Sequence, residues 1–338
     1  MVSDTLALTS IRIGFLLLVF CGFFLLSCDA DISPGMPPIT DISTPTSEDA
    51  WIVTNHNELI HLKKPKQVRK IPAFDGRAKL VSFTNKSSGW VVDTGGKVWH
   101  TTDGDEWFET GDLGNGYTAE HATNLAFATD KIGWITTPFG LWQTIDGGGK
   151  WTKVDFGSID AQPVDFVPVD GETGWLLFTN AKLGRTIDRG NTWSIFDLGG
   201  TFTIRGFYSN GHLNNWVGAA DGRPLGLFHS DSPGEWKQVL PEANTRDIGI
   251  QSISFASDQI GWLCGQRFAS LVPEQKSVGV IMRTNDGGLN WLASPSALPD
   301  ERFVHIRFFD ESNGWIVSNR RVYYTANGGV EWVEIPWH

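Results

Sequence analysis

From residue 39 to the C-terminus, short apolar runs alternate with clusters of Gly, Asn, Asp and Ser. Representative runs occupy residues 164–167, 175–178, 183–186 and 192–196. They are rich in β-branched and aromatic side chains, which suit a pleated, half-buried strand. Nowhere after residue 40 does an apolar period near 3.6 persist through three helical turns. The pattern predicts strands joined by tight turns.

The strands belong to a repeat. The dipeptide Gly-Trp recurs at Trp90, Trp134, Trp175, Trp262 and Trp315, and weaker copies place Trp51 after Ala50 and Trp216 after Asn215. Successive tryptophans are 39, 44, 41, 41, 46 and 53 residues apart. An apolar residue precedes each one, seven back at Phe83, Phe127, Phe255 and Phe308 and nine back at Ile42, Phe166 and Phe207. A second motif, Thr-x-Asp-Gly-Gly-x-x-Trp, runs from Thr144 to Trp151 and from Thr284 to Trp291. Variants end at Trp193 and Trp332, a shortened copy ends at Trp107, and a degenerate one ends at Trp236.

Four short strands per unit of about 43 residues make a propeller blade. Seven units predict an all-β chain, a seven-bladed β-propeller of four-stranded antiparallel blades, whose closure removes most exposed strand edges. An open β-solenoid is the competing architecture. The propeller is assigned to residues 39–338, preceded by a signal peptide at 1–27 and an extended Pro- and Ser-containing tether at 28–38.

The Asp-Gly-Gly segment reads as the hairpin between third and fourth strands, with Gly where φ is positive and Asp accepting backbone N–H groups. Asp103, Asp146, Asp188, Asp231, Asp286 and Asn327 are therefore assigned a structural role, in preference to catalysis or calcium binding. The closing Trp covers the loop.

Charge and the N-terminus say where such a body works. The net charge is −11, from 27 Lys+Arg against 38 Asp+Glu, which disfavours a nucleic-acid partner. Residues 13–26 form an apolar run shorter than the roughly 20 residues a membrane-spanning helix needs, consistent with a signal-peptide hydrophobic region. It ends in Leu25-Leu26-Ser27-Cys28, which resembles the bacterial lipobox; that resemblance implies cleavage before Cys28, acylation of its thiol (palmitate or a similar chain) and attachment to the exported face of a membrane. Asp29 resembles an inner-membrane retention signal. With Cys21 removed and Cys28 acylated, Cys264 stands alone and no intrachain disulfide is expected.

The Thr-x-Asp-Gly-Gly-x-x-Trp copies resemble the Asp-box, or BNR repeat, of sialidases, sortilin-type receptors, some glucanases and exported propellers. Together with the lipobox and the Gly-Trp strand starts, they make residues 39–338 most similar to the photosystem II stability and assembly factor family and its non-photosynthetic bacterial relatives. That resemblance implies a non-enzymatic role, binding membrane-protein assembly intermediates on the lumenal or periplasmic side. Family members carry an Arg patch, whereas basic residues here are scattered over an acidic body.

The rival reading is a sialidase-like glycosidase or glycan-binding propeller. Arg69-Lys70-Ile71-Pro72 mimics the Arg-Ile-Pro signature of sialidases with an inserted Lys, and only four Tyr are present. No Ser-His-Asp order, phosphate loop, paired metal-ligand spacing or cofactor motif stands out; His56 and His61 are set on different sides of a hairpin. Loops joining second to third strands share one face of a propeller, and the longest spans residues 264–278. Arg267 and Phe268 in it, with Arg223, Arg320 and Arg321 in the equivalent loops of adjacent units, form the expected partner-binding patch. Phe268 is expected to be exposed, so that its loss would weaken docking without lowering thermal stability. Lys63, Lys64 and Lys66 mark either a solvated edge or a contact with anionic lipid. The body is expected to be monomeric.

Overall fold

The computed structural model describes residues 37–74, 77–114, 120–210, 214–221, 226–232, 234–240, 247–268, 278–294, 298 and 302–337. Signal and tether assignments at 1–36, Cys28 and Asp29 among them, lie outside these residues. Seven four-stranded antiparallel sheets are each built from four consecutive strands. The blades occupy 39–71, 78–112, 124–154, 163–197, 203–240, 248–293 and 303–335. First strands of successive blades touch one another, so they form the inner ring, and fourth strands lie outermost. The chain is an all-β seven-bladed propeller.

Strand positions follow the sequence closely, with one instructive difference. In the fourth blade the last strand is Ser194–Asp197 and not 192–196. Thr192 is held in the turn, where its backbone N–H donates to Asp188 Oδ1 at 2.9 Å and its hydroxyl to Oδ2 at 2.6 Å.

The spacing between Phe and Trp has a direct structural meaning. Each Phe stacks on the Gly-Trp tryptophan of the preceding blade. Where Phe lies seven residues before its own Trp, the stack is parallel: Trp51–Phe83 at 4.2 Å, Trp90–Phe127 at 3.9 Å, Trp216–Phe255 at 5.2 Å and Trp262–Phe308 at 3.5 Å. Where it lies nine back, the rings tilt, at 37° for Trp134–Phe166 and 47° for Trp175–Phe207. A two-residue shift keeps the side chain on the same sheet face but changes its approach. The Gly of Gly-Trp is equally explained. In the parallel cases Phe83, Phe127, Phe255 and Phe308 lie over Gly89, Gly133, Gly261 and Gly314 of their own blades, where a Cβ would collide with the ring.

The Asp-Gly-Gly turns seal these seams from outside. Trp151 meets Phe127 edge-on at 6.1 Å, and Trp332 meets Phe308 at 5.9 Å. Trp90 Nε1 donates to Gly147 O at 3.0 Å in the next blade's turn, and Trp262 Nε1 donates to Gly328 O at 3.1 Å. Gly148, at φ 100°, and Gly288, at φ 87°, adopt the left-handed backbone that the turn requires.

Blade 1 has no such turn, and the ring closes differently there. Ile42 takes the place of Phe in the shared core of blades 1 and 7, and Trp315 Nε1 donates to Thr46 O at 3.0 Å. Lys64 Nζ lies 5.5 Å above the Trp315 ring and 5.0 Å above Tyr324, covering the seam with a cation instead of an indole. Ile39 N–H donates to Asn319 O at 2.8 Å, tying the first inner strand to the last blade.

Trp291 is 7% exposed, whereas Trp151 is half-buried. Trp291→Ala should therefore cost about 3–5 kcal/mol of stability, as large-to-small core changes do, and Trp151→Ala clearly less. Chemical denaturation of both variants checks this; equal losses would contradict the packing.

Candidate functional site

The turns joining second to third strands, and the links between blades, share the face on which the inner strands begin. The Asp-Gly-Gly turns lie on the opposite face, bonded to the first-to-second-strand turns of their own blades, as in Gly147 N–H to Lys131 O at 2.9 Å and Gly328 N–H to Ser312 O at 2.9 Å. The first face is called the loop face and the second the box face.

On the loop face, the strands Gly261–Arg267 and Gly314–Ser318 deliver Arg267 and the Arg320–Arg321 turn from adjacent blades. Arg267 is exposed and its Nε lies 3.3 Å from Asp247 Oδ2. Arg320 and Arg321 are part-buried, their backbone N–H groups donating to Ser318 Oγ at 3.2 and 2.9 Å, and Arg321 Nε lies 3.9 Å from Glu334 Oε1. Arg223 lies outside the described residues. Phe268 departs from expectation. It is part-buried, packs against the core shared by blades 4 and 5, and would stand 2.9 Å from a Cβ on Gly249. The apolar surface of the ring lies against a neighbouring blade, so Phe268 is an internal strut as much as an anchor.

On the box face, Asp146 Oδ1 accepts from Thr144 Oγ1 at 2.8 Å and from Lys150 N–H at 3.0 Å. Asp188 and Asp286 repeat this with Thr186 at 2.9 Å and Thr284 at 2.8 Å. Backbone N–H groups hold Asp146 and Asp286 below the usual carboxylate range, and for Asp188 the Thr192 hydroxyl contributes most. Asp103 accepts from Thr101 Oγ1 at 3.1 Å, and Asn327 from Thr325 Oγ1 at 3.0 Å. Asp231 stands apart, with its side chain 82% exposed and 3.5 Å from His229 Nε2. Their acceptor capacity is turned onto their own turns. Among the described residues, no group of three or more His, Cys, Asp or Glu is arranged to hold a metal ion. His61 pairs with Asp49 at 2.9 Å and stacks on Trp51.

A third cluster was missed in the sequence. Aligned by register, Asp41, Leu80, Asn124, Asp165, Gly206, Ser252 and His305 occupy one level of the inner ring. In every blade but the third, an irregularity of the strand pairing lies just before that level. Such bulges re-aim side chains where an inner strand must curve around a channel. Asp41 Oδ2 accepts from Val81 N–H at 2.7 Å, and His305 Nε2 lies 3.0 Å from Thr44 Oγ1, so both stitch consecutive blades. Burial pushes Asp41 and Asp165 up to about 7, and His305 down to about 4. Asp41 and Asp165 are part-buried, with protein enclosing most of each side chain. The overlooked signal was a charge inside an apolar run, as in Val164-Asp165-Phe166-Val167.

Among the described residues, those proposed for a sialidase constellation lie apart from one another. Arg69 lies on the outermost strand of blade 1, paired with Asp105 and donating to Gly104 O at 3.0 Å. Tyr323 is buried, and Tyr324 lies under Lys64.

No protein-family model and no curated protein sequence matches the chain. Solved structures do match. YCF48 bound to a D1 peptide has a TM-score of 0.62 at 16% identity, over 87% of this chain and 94% of that one. YCF48 from Cyanidioschyzon merolae has a TM-score of 0.64 at 15% identity, over 87% and 96%. The GH74 xyloglucanase from Xanthomonas campestris has a TM-score of 0.67 at 12% identity, over 88% of this chain but 53% of that enzyme. These likenesses establish the propeller fold.

The channel groups give a pH signature. Asp165, raised in the folded state from 3.8 to about 7, contributes stability that is complete below pH 4 and lost as pH rises through about 7. His305, lowered from 6.5 to about 4, contributes in the opposite sense, its part being lost as pH falls through about 4. Asp165→Asn, which mimics the neutral acid, should therefore be more stable than the parent at pH 8 by about 1–2 kcal/mol, channel water screening the rest. At pH 4 the two should coincide. Denaturation at both pH values tests the sign.

Proposed function

We propose that this protein is a non-catalytic, lipid-anchored docking platform on the exported side of a membrane, serving assembly, maturation or inhibition of a membrane-associated protein. The observation that carries the reading is the division of labour between the two faces. Repeated side chains of the box face are spent on holding turns and seams. The loop face varies from blade to blade and presents Arg267, Arg320 and Arg321 on adjacent blades. A rigid ring with variable loops on one face recognises a partner with little ordering cost. The likeness to YCF48, which has been seen with a D1 peptide, supports a protein ligand, and acylation at Cys28 would supply the anchor. An exported monomer without cofactor or nucleic-acid partner fits the same reading.

Arg267 and Arg321 face Asp247 and Glu334, so docking there exchanges internal carboxylates for those of a partner. Arg267→Ala combined with Arg320→Ala should weaken partner capture by more than about 1 kcal/mol while leaving the melting temperature within a degree or two. Crosslinking in native membranes followed by mass spectrometry reads the first, and calorimetry the second. Undiminished capture sinks the site; capture of glycans in place of protein favours the carbohydrate-binding rival. Phe268→Ala should lower stability as well, because its ring fills the seam over Gly249.

A further inference from the structure

The start of the propeller fixes which face can look toward a membrane. Asn55 N–H donates to Pro38 O, and Ile39 N–H to Asn319 O, both at 2.8 Å. Asn55 and Asn319 belong to loop-face turns of blades 1 and 7, and Asn319 immediately precedes Arg320. The chain therefore enters on the loop face, at the inner strand, next to the arginines.

Length then decides orientation. Nine peptide steps separate Cys28 from Pro37; fully extended they reach about 31 Å, and relaxed about 17 Å. To seat the box face on a bilayer, the same segment must cross three strand spacings of about 4.8 Å and then descend a strand about 17 Å long, close to 31 Å before any side chain is added. That path consumes the whole reach of the tether. The loop face needs none of it.

Charge points the same way. Asp146, Asp188 and Asp286 remain ionised on the box face; its turns also carry bases such as Lys66, Lys86, Lys131, Lys150 and Arg189, but acids outnumber them among the described residues, and an anionic membrane surface repels such a rim. Arg267, Arg320 and Arg321 occupy the other side.

We infer that the loop face is the bilayer-facing side of the propeller, and that its partner is an integral membrane protein presenting an acidic exported segment within about 30 Å of the membrane surface. This rests on the anchoring and the loop-face docking proposed above.

Single cysteines at Thr94, in the loop-face turn of blade 2, and at Leu289, 81% exposed on the box face, provide the test. Cys264 is buried and its thiol is pushed up by burial, so a thiol-reactive fluorophore labels the introduced sites. In vesicles of anionic lipid carrying a headgroup quencher, the full-length protein should show at least threefold stronger quenching at position 94 than at 289. Equal quenching, or more at 289, overturns the orientation. Cys28→Ser should abolish quenching at both; if that variant stays membrane-bound, the anchor itself is refuted, a failure distinct from a wrong orientation. A photo-crosslinker at position 94 in native membranes should yield an adduct whose partner, identified by mass spectrometry, has a membrane-spanning segment and crosslinks through an acidic exported stretch. A soluble partner, or adducts formed only from position 289, overturns the partner class.

Discussion

The stack between the Trp of one blade and the Phe of the next is the contact on which this molecule depends. A four-stranded blade cannot bury a tryptophan on its own, because both sheet faces are open until neighbours cover them. Trp51, Trp90, Trp134, Trp175, Trp216, Trp262 and Trp315 are all buried only because another blade stands against them. Burial of that area is the main source of cohesion around the ring, and ring closure through Ile42, Trp315 and Lys64 makes it continuous.

Polar groups solve the problem the stacks leave behind. The inner strands expose an unpaired edge to the channel, where uncompensated N–H groups would be costly. Ser43, Ser82 and Ser254 accept from Phe83, Phe127 and Phe308 N–H at 2.9, 3.0 and 2.9 Å, so the residue that stacks by its ring is also anchored by its backbone. Asp41 does the same for Val81. The channel is thus built for cohesion first, and its raised and lowered acidities follow from desolvation at those seams.

This economy leaves the loop face as the place where sequence can change without loosening the ring. The box face varies less freely, since the turns of blades 3 and 7 each offer a carbonyl to the preceding blade's indole and most of the turns are held by their own Thr–Asp or Thr–Asn pair. The loops between second and third strands repeat backbone contacts, as in Asn55 N–H to Pro38 O and Thr94 N–H to Arg77 O, while their side chains differ from blade to blade. Their arginines draw on local carboxylates, which tempers the charge they offer and makes recognition a matter of exchange between internal and external acids.

The sequence by itself determined the number of blades, their strands and the turns in which Asp146, Asp188 and Asp286 lie, because each follows from spacing along one repeat: period two within a strand, fixed turn chemistry, and a tryptophan every forty residues or so. It determined less about the site. That Phe268 packs against the core shared by blades 4 and 5, that Asp41 and Asp165 share a channel level with His305, and that the chain enters beside Arg320 are relations between different blades. Only closure of the ring decides them, since a seam has two sides and the chain supplies those sides in different repeats.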